Sequence, residues 1–195
     1  MTNGLFAATA PFRTRSFGSF TIAVTQPDLT SGEHVVLTLG DVRGANVLCR
    51  ATSRCLTSTA LDAYDCDCVD QLRLVMSQIR DAGRGILLYM DQEGRGHGLA
   101  TKIEAMNLKA AGIDTFSAYE HMGLSGDGRD YSDAAQILRH LGVESIVLLT
   151  NNPDKARAME AAGISVTGME SCAVYPPPPG AIPHLQAKRE RGHHL

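Results

Sequence analysis

The chain of 195 residues lacks any apolar run of the roughly 18 residues that a membrane-spanning helix needs. Met1 to Arg15 contains no basic stretch followed by an apolar one, so it reads as a loose lead-in and not as a secretory signal. Neither sign of charge dominates: 18 Lys and Arg face 21 Asp and Glu, and a net charge of −3 gives no electrostatic reason to expect nucleic acid or an anionic membrane as a partner. No repeat or low-complexity tract appears. Also missing are the Gly-Lys-Ser/Thr ending of a P-loop and the G-x-G-x-x-G of a dinucleotide-binding turn. What remains is a chain with 44% hydrophobic and 20% charged residues, long enough to bury a core within one domain.

Cysteine is present, and its placement is informative. Five cysteines without an export signal fit a reducing, cytoplasmic compartment, where clustered thiols bind metal or act chemically more often than they form disulfides. Cys55, Cys66 and Cys68 form C-x10-C-x-C in a segment dense with small polar residues. Three thiolates suit a zinc ion that keeps one position open, and water in that position is a nucleophile near neutral pH. Two cysteines one residue apart can also simply share a turn, and His97 or His121 could fold back to close the site. Cys49, within Asn46-Val-Leu-Cys49, reads as a small buried hydrophobe, and Cys172 reads the same way.

Apolar periodicity gives an α/β chain with a mixed β-sheet and flanking helices. Phe17 to Thr25 alternates, and His34 to Gly40 and Ala45 to Arg50 are short apolar runs, so the first part is β structure of antiparallel character. Val69 to Ala82 has helical spacing and stops at Gly83. Gly85 to Met90 is a buried strand that runs into the Gly-rich turn Glu93-Gly-Arg-Gly-His-Gly98 and then a helix over Leu99 to Ala111. Further on come a helix (Asp133 to His140), a strand (Ser145 to Thr150), a helix through Ala162 and a last strand (Ile164 to Met169). This alternation belongs to α/β domains. The division expected is a flexible lead (1–15), a catalytic domain (16–170) and an extension (171–195) with the stiff spacer Pro176 to Pro179 and a solvated basic tail, Lys188 to His194.

Three turns carry candidate chemistry. Backbone amides in the 93–98 turn, together with a helix N-terminus, favour phosphate, and Arg95 adds a fork-shaped donor; a lone Gly-rich turn can also be only a turn. Gly126-Asp-Gly-Arg-Asp130 can hold a charged group between Asp127 and Arg129, or serve only to cap the next helix. Thr150 and Lys155 flank a strand-to-helix turn, an ordinary place for anion contacts.

Taken together, Cys55-Leu-Thr, Asp65-Cys-Asp-Cys68, Gln92-Glu-Gly-Arg95, Gly128-Arg-Asp-Tyr131 and Leu148-Leu-Thr-Asn-Asn-Pro153 resemble GTP cyclohydrolase II, from about Phe17 to the C-terminus. The resemblance implies one zinc per chain on Cys55, Cys66 and Cys68, and GTP or a related purine nucleotide as substrate, with magnesium accompanying the triphosphate. It places Arg50, Gln71, Glu93, Gly94, Arg95, Thr115, Thr150 and Lys155 at the nucleotide, Asp127 as general base and Arg129 at the α-phosphate. It also implies a homodimer and a role in riboflavin synthesis. Because guanidinium stays protonated in proteins, Arg129 suits stabilisation of transition-state charge at least as well as nucleophilic attack.

Three positions depart from the family's pattern. Arg54 stands where an acid usually precedes the first cysteine, a charge change of two units beside the substrate site. Met106 stands where a tyrosine is usual, and a thioether cannot donate a hydrogen bond. Tyr175-Pro-Pro-Pro-Pro-Gly180 displaces an Asn-rich segment. The expectation from Met106 is a truncated reaction: the imidazole ring opens and diphosphate leaves, but the formyl group is retained as a formamidopyrimidine nucleotide.

Overall fold

An antiparallel meander leads into a parallel half-sheet. The computed structural model describes residues 4–28 and 30–195, apart from the side chains of Thr115 and Phe116. Strands β1 (Phe6–Arg13), β2 (Ser19–Thr25) and β3 (Val35–Leu39) pair antiparallel in sequence order, and β3 pairs antiparallel with β5 (Gly85–Met90). Parallel pairing then joins β5 to β4 (Val47–Ser53), β4 to β6 (Ile146–Leu149) and β6 to β7 (Val166–Glu170). The order across the sheet is β1-β2-β3-β5-β4-β6-β7.

Helices cover both faces. On one, α2 (Cys68–Ala82) sets Val75, Met76 and Ile79 against Phe20, Leu37 and Leu87. Gly83 stops this helix in a left-handed conformation (φ 69°) that glycine adopts without steric cost. On the other face, α5 (Ser132–His140) and α6 (Pro153–Ala161) bury Ile137, Leu138 and Met159 against Ile86, Leu88 and Ile146. Asn152 starts α6 by accepting a hydrogen bond from the Asp154 amide at 3.0 Å, with Pro153 in the first turn. Between β5 and α5, α3 (Gly98–Ala110) and α4 (Thr115–His121) pack through the smaller cluster of Ala105, Ala118 and Tyr119. Among the described residues, no helix is long and apolar enough to cross a membrane.

The topology fixes where a site belongs. From β4 the chain crosses to β5 on one side, and later to β6 on the other. In open α/β sheets such a reversal leaves a crevice at the carboxyl ends of the strands. Cys55, the Gly-rich turn and the Thr150–Lys155 turn all follow these strand ends.

Two segments differ from expectation. Residues 6–13, expected to be loose, form β1, paired with β2 from Phe6↔Thr25 to Arg13↔Ser19. Most of its side chains are exposed, so apolar alternation is absent; backbone pairing orders it, and the buried Phe6 ring meets His140 edge-on at 5.2 Å. Pro11 is tolerated because β1 is an edge strand. The basic tail also departs from a solvated end. Helix α7 (Ile182–Glu190) and the residues after it fold back over the carboxyl ends of the strands, where Lys188 meets Asp67 at 3.0 Å.

Candidate active site

A cavity of about 780 Å³ occupies the predicted crevice. Its walls include nine arginines and lysines against five aspartates and glutamates, in a chain whose overall charge is −3. Such a concentration of cations in a concave site selects polyanions.

At one end lie the three cysteines. Cys55 follows β4 and precedes the short helix α1 (Leu56–Thr59), Cys68 opens α2, and Cys66 lies on the loop between them. Their sulfurs lie within 4.8 Å of one another, and Cys55 Sγ to Cys66 Sγ is 3.8 Å. Tetrahedral zinc with bonds of about 2.3 Å puts two thiolates about 3.8 Å apart, so the donor set fits. Among the described residues no histidine joins them; His97 Nε2 lies 2.9 Å from the Ser125 carbonyl. Hydrogen bonds from Cys66 and Cys68 hold the Cys55 thiol far below its usual range against the opposing effect of burial, and Lys102 adds to this. The same thiolate pushes Cys66 and Cys68 up. Cys49, fully buried in the core, is pushed up to about 12 by burial, as an inert hydrophobe should be.

Lys102 was not apparent from sequence. Its Nζ donates to Cys55 Sγ at 3.1 Å and to Glu93 Oε1 at 2.8 Å. Burial works against its charge, but the bonds to Glu93 and Cys55 keep it protonated well above the ordinary lysine range. Lys102, Met106 and Lys109 all line the cavity from α3. Their i, i+4, i+7 spacing puts them on one helix face, and that polar face was the available signal. Tyr119 and Tyr131, buried beside the cavity, were likewise missed.

The residues proposed for the nucleotide fall into two groups. Several are tied to the protein. Glu93 is buried, with Oε2 accepting from the Leu56 amide at 2.7 Å and Oε1 from Gly94 N at 3.1 Å as well as from Lys102. Arg50 donates to Thr52, Leu149 O, Cys172 Sγ and Gln71 Oε1, the last at 2.8 Å. Gln71 Nε2 donates to Asp67 Oδ2 at 2.6 Å, so both ends of its amide are engaged. Thr150 accepts from Asn152 N at 3.1 Å, and Lys155 Nζ donates to the Ala51 carbonyl at 2.8 Å. Burial, reinforced by Arg50 and Arg129, pushes the Lys155 ammonium well down.

Others line the same cavity. Gly94 and Arg95 both adopt left-handed backbone (φ 61° and 58°), a strained choice for arginine. Arg95 donates to the Gly126 carbonyl at 3.0 Å and lies over the Tyr119 ring. Burial and the neighbouring Arg129 lower its pKa to about 10. Asp127 and Arg129 form a two-point ion pair. Burial opposes both charges, yet the pairing holds Asp127 below and Arg129 above its ordinary value. The 126–129 loop is seated by glycine: a Cβ on Gly96 would lie 2.6 Å from the Gly128 carbonyl, and the Gly128 amide donates to Arg95 O at 3.0 Å. Met106 is partly exposed on the cavity wall, and Arg54, also on the wall, meets Asp91 Oδ1 at 3.0 Å. Thr115 opens α4, but its side chain lies outside the described residues.

Comparison with known proteins gives these residues a context. The sequence profile described as GTP cyclohydrolase II matches residues 6–171. A GTP cyclohydrolase-2 of Azotobacter vinelandii is 50% identical over 152 residues, covering 77% of this chain and 73% of that protein. One from Pseudomonas fluorescens is 48% identical, covering 77% of this chain and 74% of that protein. The riboflavin biosynthesis protein RibBA of Salinispora arenicola is 44% identical over 86% of this chain, a match that spans 40% of its own length.

Two outcomes follow from the geometry. Replacing Lys102 by Met removes a charge-assisted hydrogen bond to a buried thiolate, a contribution of about 1.5–3 kcal/mol. Zinc affinity, read by competition with a chromogenic chelator, then falls about ten-fold or more; an unchanged affinity would remove Lys102 from the metal site. The second concerns acid. Burial, followed by Lys188, lowers His184 to about 3 and His193 to about 4, both below the ordinary histidine value of 6.5. Below pH 6.5 the released segment binds protons that the docked one does not, so docking weakens as pH falls from 6.5 toward 4. Hydrogen exchange of residues 182–195 is expected to speed up across that window relative to the β-sheet, after correction for intrinsic rates; a constant ratio would contradict it.

Proposed function

The chain belongs to the GTP cyclohydrolase II family, and from that membership and the cavity we propose that it opens the imidazole ring of GTP at C8, releases diphosphate and retains the formyl group. The observation that carries the reading is the juxtaposition, in one cationic cavity, of the three-thiol cluster, the Asp127–Arg129 pair and Met106. Zinc on Cys55, Cys66 and Cys68 would supply an activated water. Magnesium would accompany the triphosphate.

Each residue then has a physical task. Lys102 offsets the negative charge of three thiolates. Arg129, fixed by Asp127, presents a permanent cation to the α-phosphate, where water adds to phosphorus as the bond to diphosphate breaks. Asp127, ion-paired and held below its ordinary pKa, acts in this closed arrangement as the clamp on Arg129 more than as a proton acceptor. Arg95 adds a second cation beside it. Glu93 and Gln71, engaged with the protein, shape the site around the cysteines. Ring opening adds water at C8 and breaks the C8–N9 bond; N9 takes a proton and the formyl group stays on N7. Removing that formyl group needs a second water, oriented at the formamide. Met106 has no proton to donate to it.

Arg54 motivates a second reading within the same chemistry, a different purine nucleotide as substrate. Its pairing with Asp91 at 3.0 Å compensates much of the added charge, which favours GTP. A homodimer is part of the proposal and is supported by Leu99 and Ile103, large apolar side chains exposed on α3. The pathway served is riboflavin synthesis or a specialised branch that uses the formylated product.

Mass spectrometry of the GTP reaction with zinc and magnesium, with formate assayed in parallel, tests the reading. The expected product keeps the formyl mass, with formate below about one-tenth of product, a difference of at least about 1.4 kcal/mol between the two barriers. Met106→Tyr is expected to restore formate release. Stoichiometric formate from the unaltered chain would sink formyl retention and leave the complete reaction.

A further inference from the structure

Residues 172–195 lie beyond the segment that the family profile matches, yet they complete the cavity. Three contacts tie this segment across it. Lys188 Nζ meets Asp67 Oδ1 at 3.0 Å, on the residue between Cys66 and Cys68. Arg191 meets Glu120 Oε1 at 3.4 Å on α4. The His194 amide donates to the Asn151 carbonyl at 2.8 Å, in the turn after β6. The cysteine loop, α4 and the β6–α6 turn are thereby spanned by one strap.

Local backbone chemistry aims the end of the strap. Helix α7 stops at Gly192 (φ 84°), where the His193 amide donates to Lys188 O at 3.1 Å and the Gly192 amide to Arg189 O at 3.0 Å. This pair of bonds is the Schellman helix ending, which needs a left-handed residue and turns the chain back on itself. Arg191 and His193 consequently line the cavity instead of continuing into solvent. His193 is half-buried, and the cations whose fields reach it are Lys188, Arg129, Arg95 and Lys155. All four line the same cavity.

We propose that residues 182–195 are a substrate-binding strap whose Arg191 and His193 bind the polyphosphate of the nucleotide, making the site selective for a triphosphate over a monophosphate. This rests on the reading that the cavity takes a guanine nucleotide. Arg191 holds carboxylates in the free protein, and a polyphosphate offers it stronger, multiply charged acceptors. With the strap closed, the phosphates lie between it and Arg95 and Arg129.

The test uses the full zinc-loaded chain and calorimetric titration with two ligands, α,β-methylene GTP and GMP. Arg191→Ala and His193→Ala are each expected to weaken the triphosphate analogue about ten-fold or more, while GMP shifts less than about two-fold. Zinc content and thermal midpoint serve as fold controls, and protection of the strap from trypsin by the analogue in the unaltered chain supplies a readout without any substitution. Equal losses for both ligands, no loss, or no protection overturns the strap proposal while the nucleotide reading survives. An unaltered chain that binds neither ligand overturns both.

Discussion

The site is organised around the buried carboxylate of Glu93. It accepts from the first amide of α1, from its own neighbour Gly94 and from the Lys102 ammonium, and Lys102 in turn reaches Cys55. Three chain segments, those following β4 and β5 and the body of α3, therefore meet at one charge. Removing one partner from such a buried pair costs about 3–5 kcal/mol, because the other charge is left without compensation. The first thiol, the Gly-rich turn and the helix that carries Met106 are thereby tied to one another. Arg95, strained in its left-handed conformation two residues from Glu93, is held there by the same anchorage.

A second network balances the opposite side of the cysteine loop. Cys172 and Leu149 O receive Arg50, Arg50 holds Gln71, Gln71 holds Asp67, and Asp67 holds Lys188 of the strap. Core, cysteine loop and C-terminal segment are thus connected by hydrogen bonds that leave few polar ends unused. Gln71 and Arg50, which the resemblance places at the nucleotide, are engaged by the protein in this arrangement. The two departures near the cavity fit the same pattern. Arg54 is absorbed by Asp91, so its charge is largely local, whereas Met106 has no partner chemistry to replace a phenol.

Much of this was legible in the sequence because the signals were local. The helix from 69 to 82, the strand from 85 to 90 and the turn at 151–153 each carry their own periodicity or capping residue, and the three cysteines announce themselves by spacing. What sequence reading missed depends on tertiary contact. β1 shows no apolar alternation, because an edge strand with most of its side chains exposed is held by backbone pairing. Lys102 looks like any helical lysine until α3 is laid over the cysteines. The 188–194 tail reads as a solvated charge run because its docking partners, Asp67, Glu120 and Asn151, are at least 40 residues distant in sequence. In the 93–98 turn the residue types were informative, but their engagement with the protein was not.

The account stands on an open, three-thiolate zinc. X-ray absorption at the zinc edge of the full chain tests it most directly. The account predicts three sulfur scatterers at about 2.3 Å and one oxygen or nitrogen scatterer at about 2.0 Å. Four sulfurs, or zinc that does not bind stoichiometrically, would contradict it, because neither leaves a coordination position from which water could reach a purine ring.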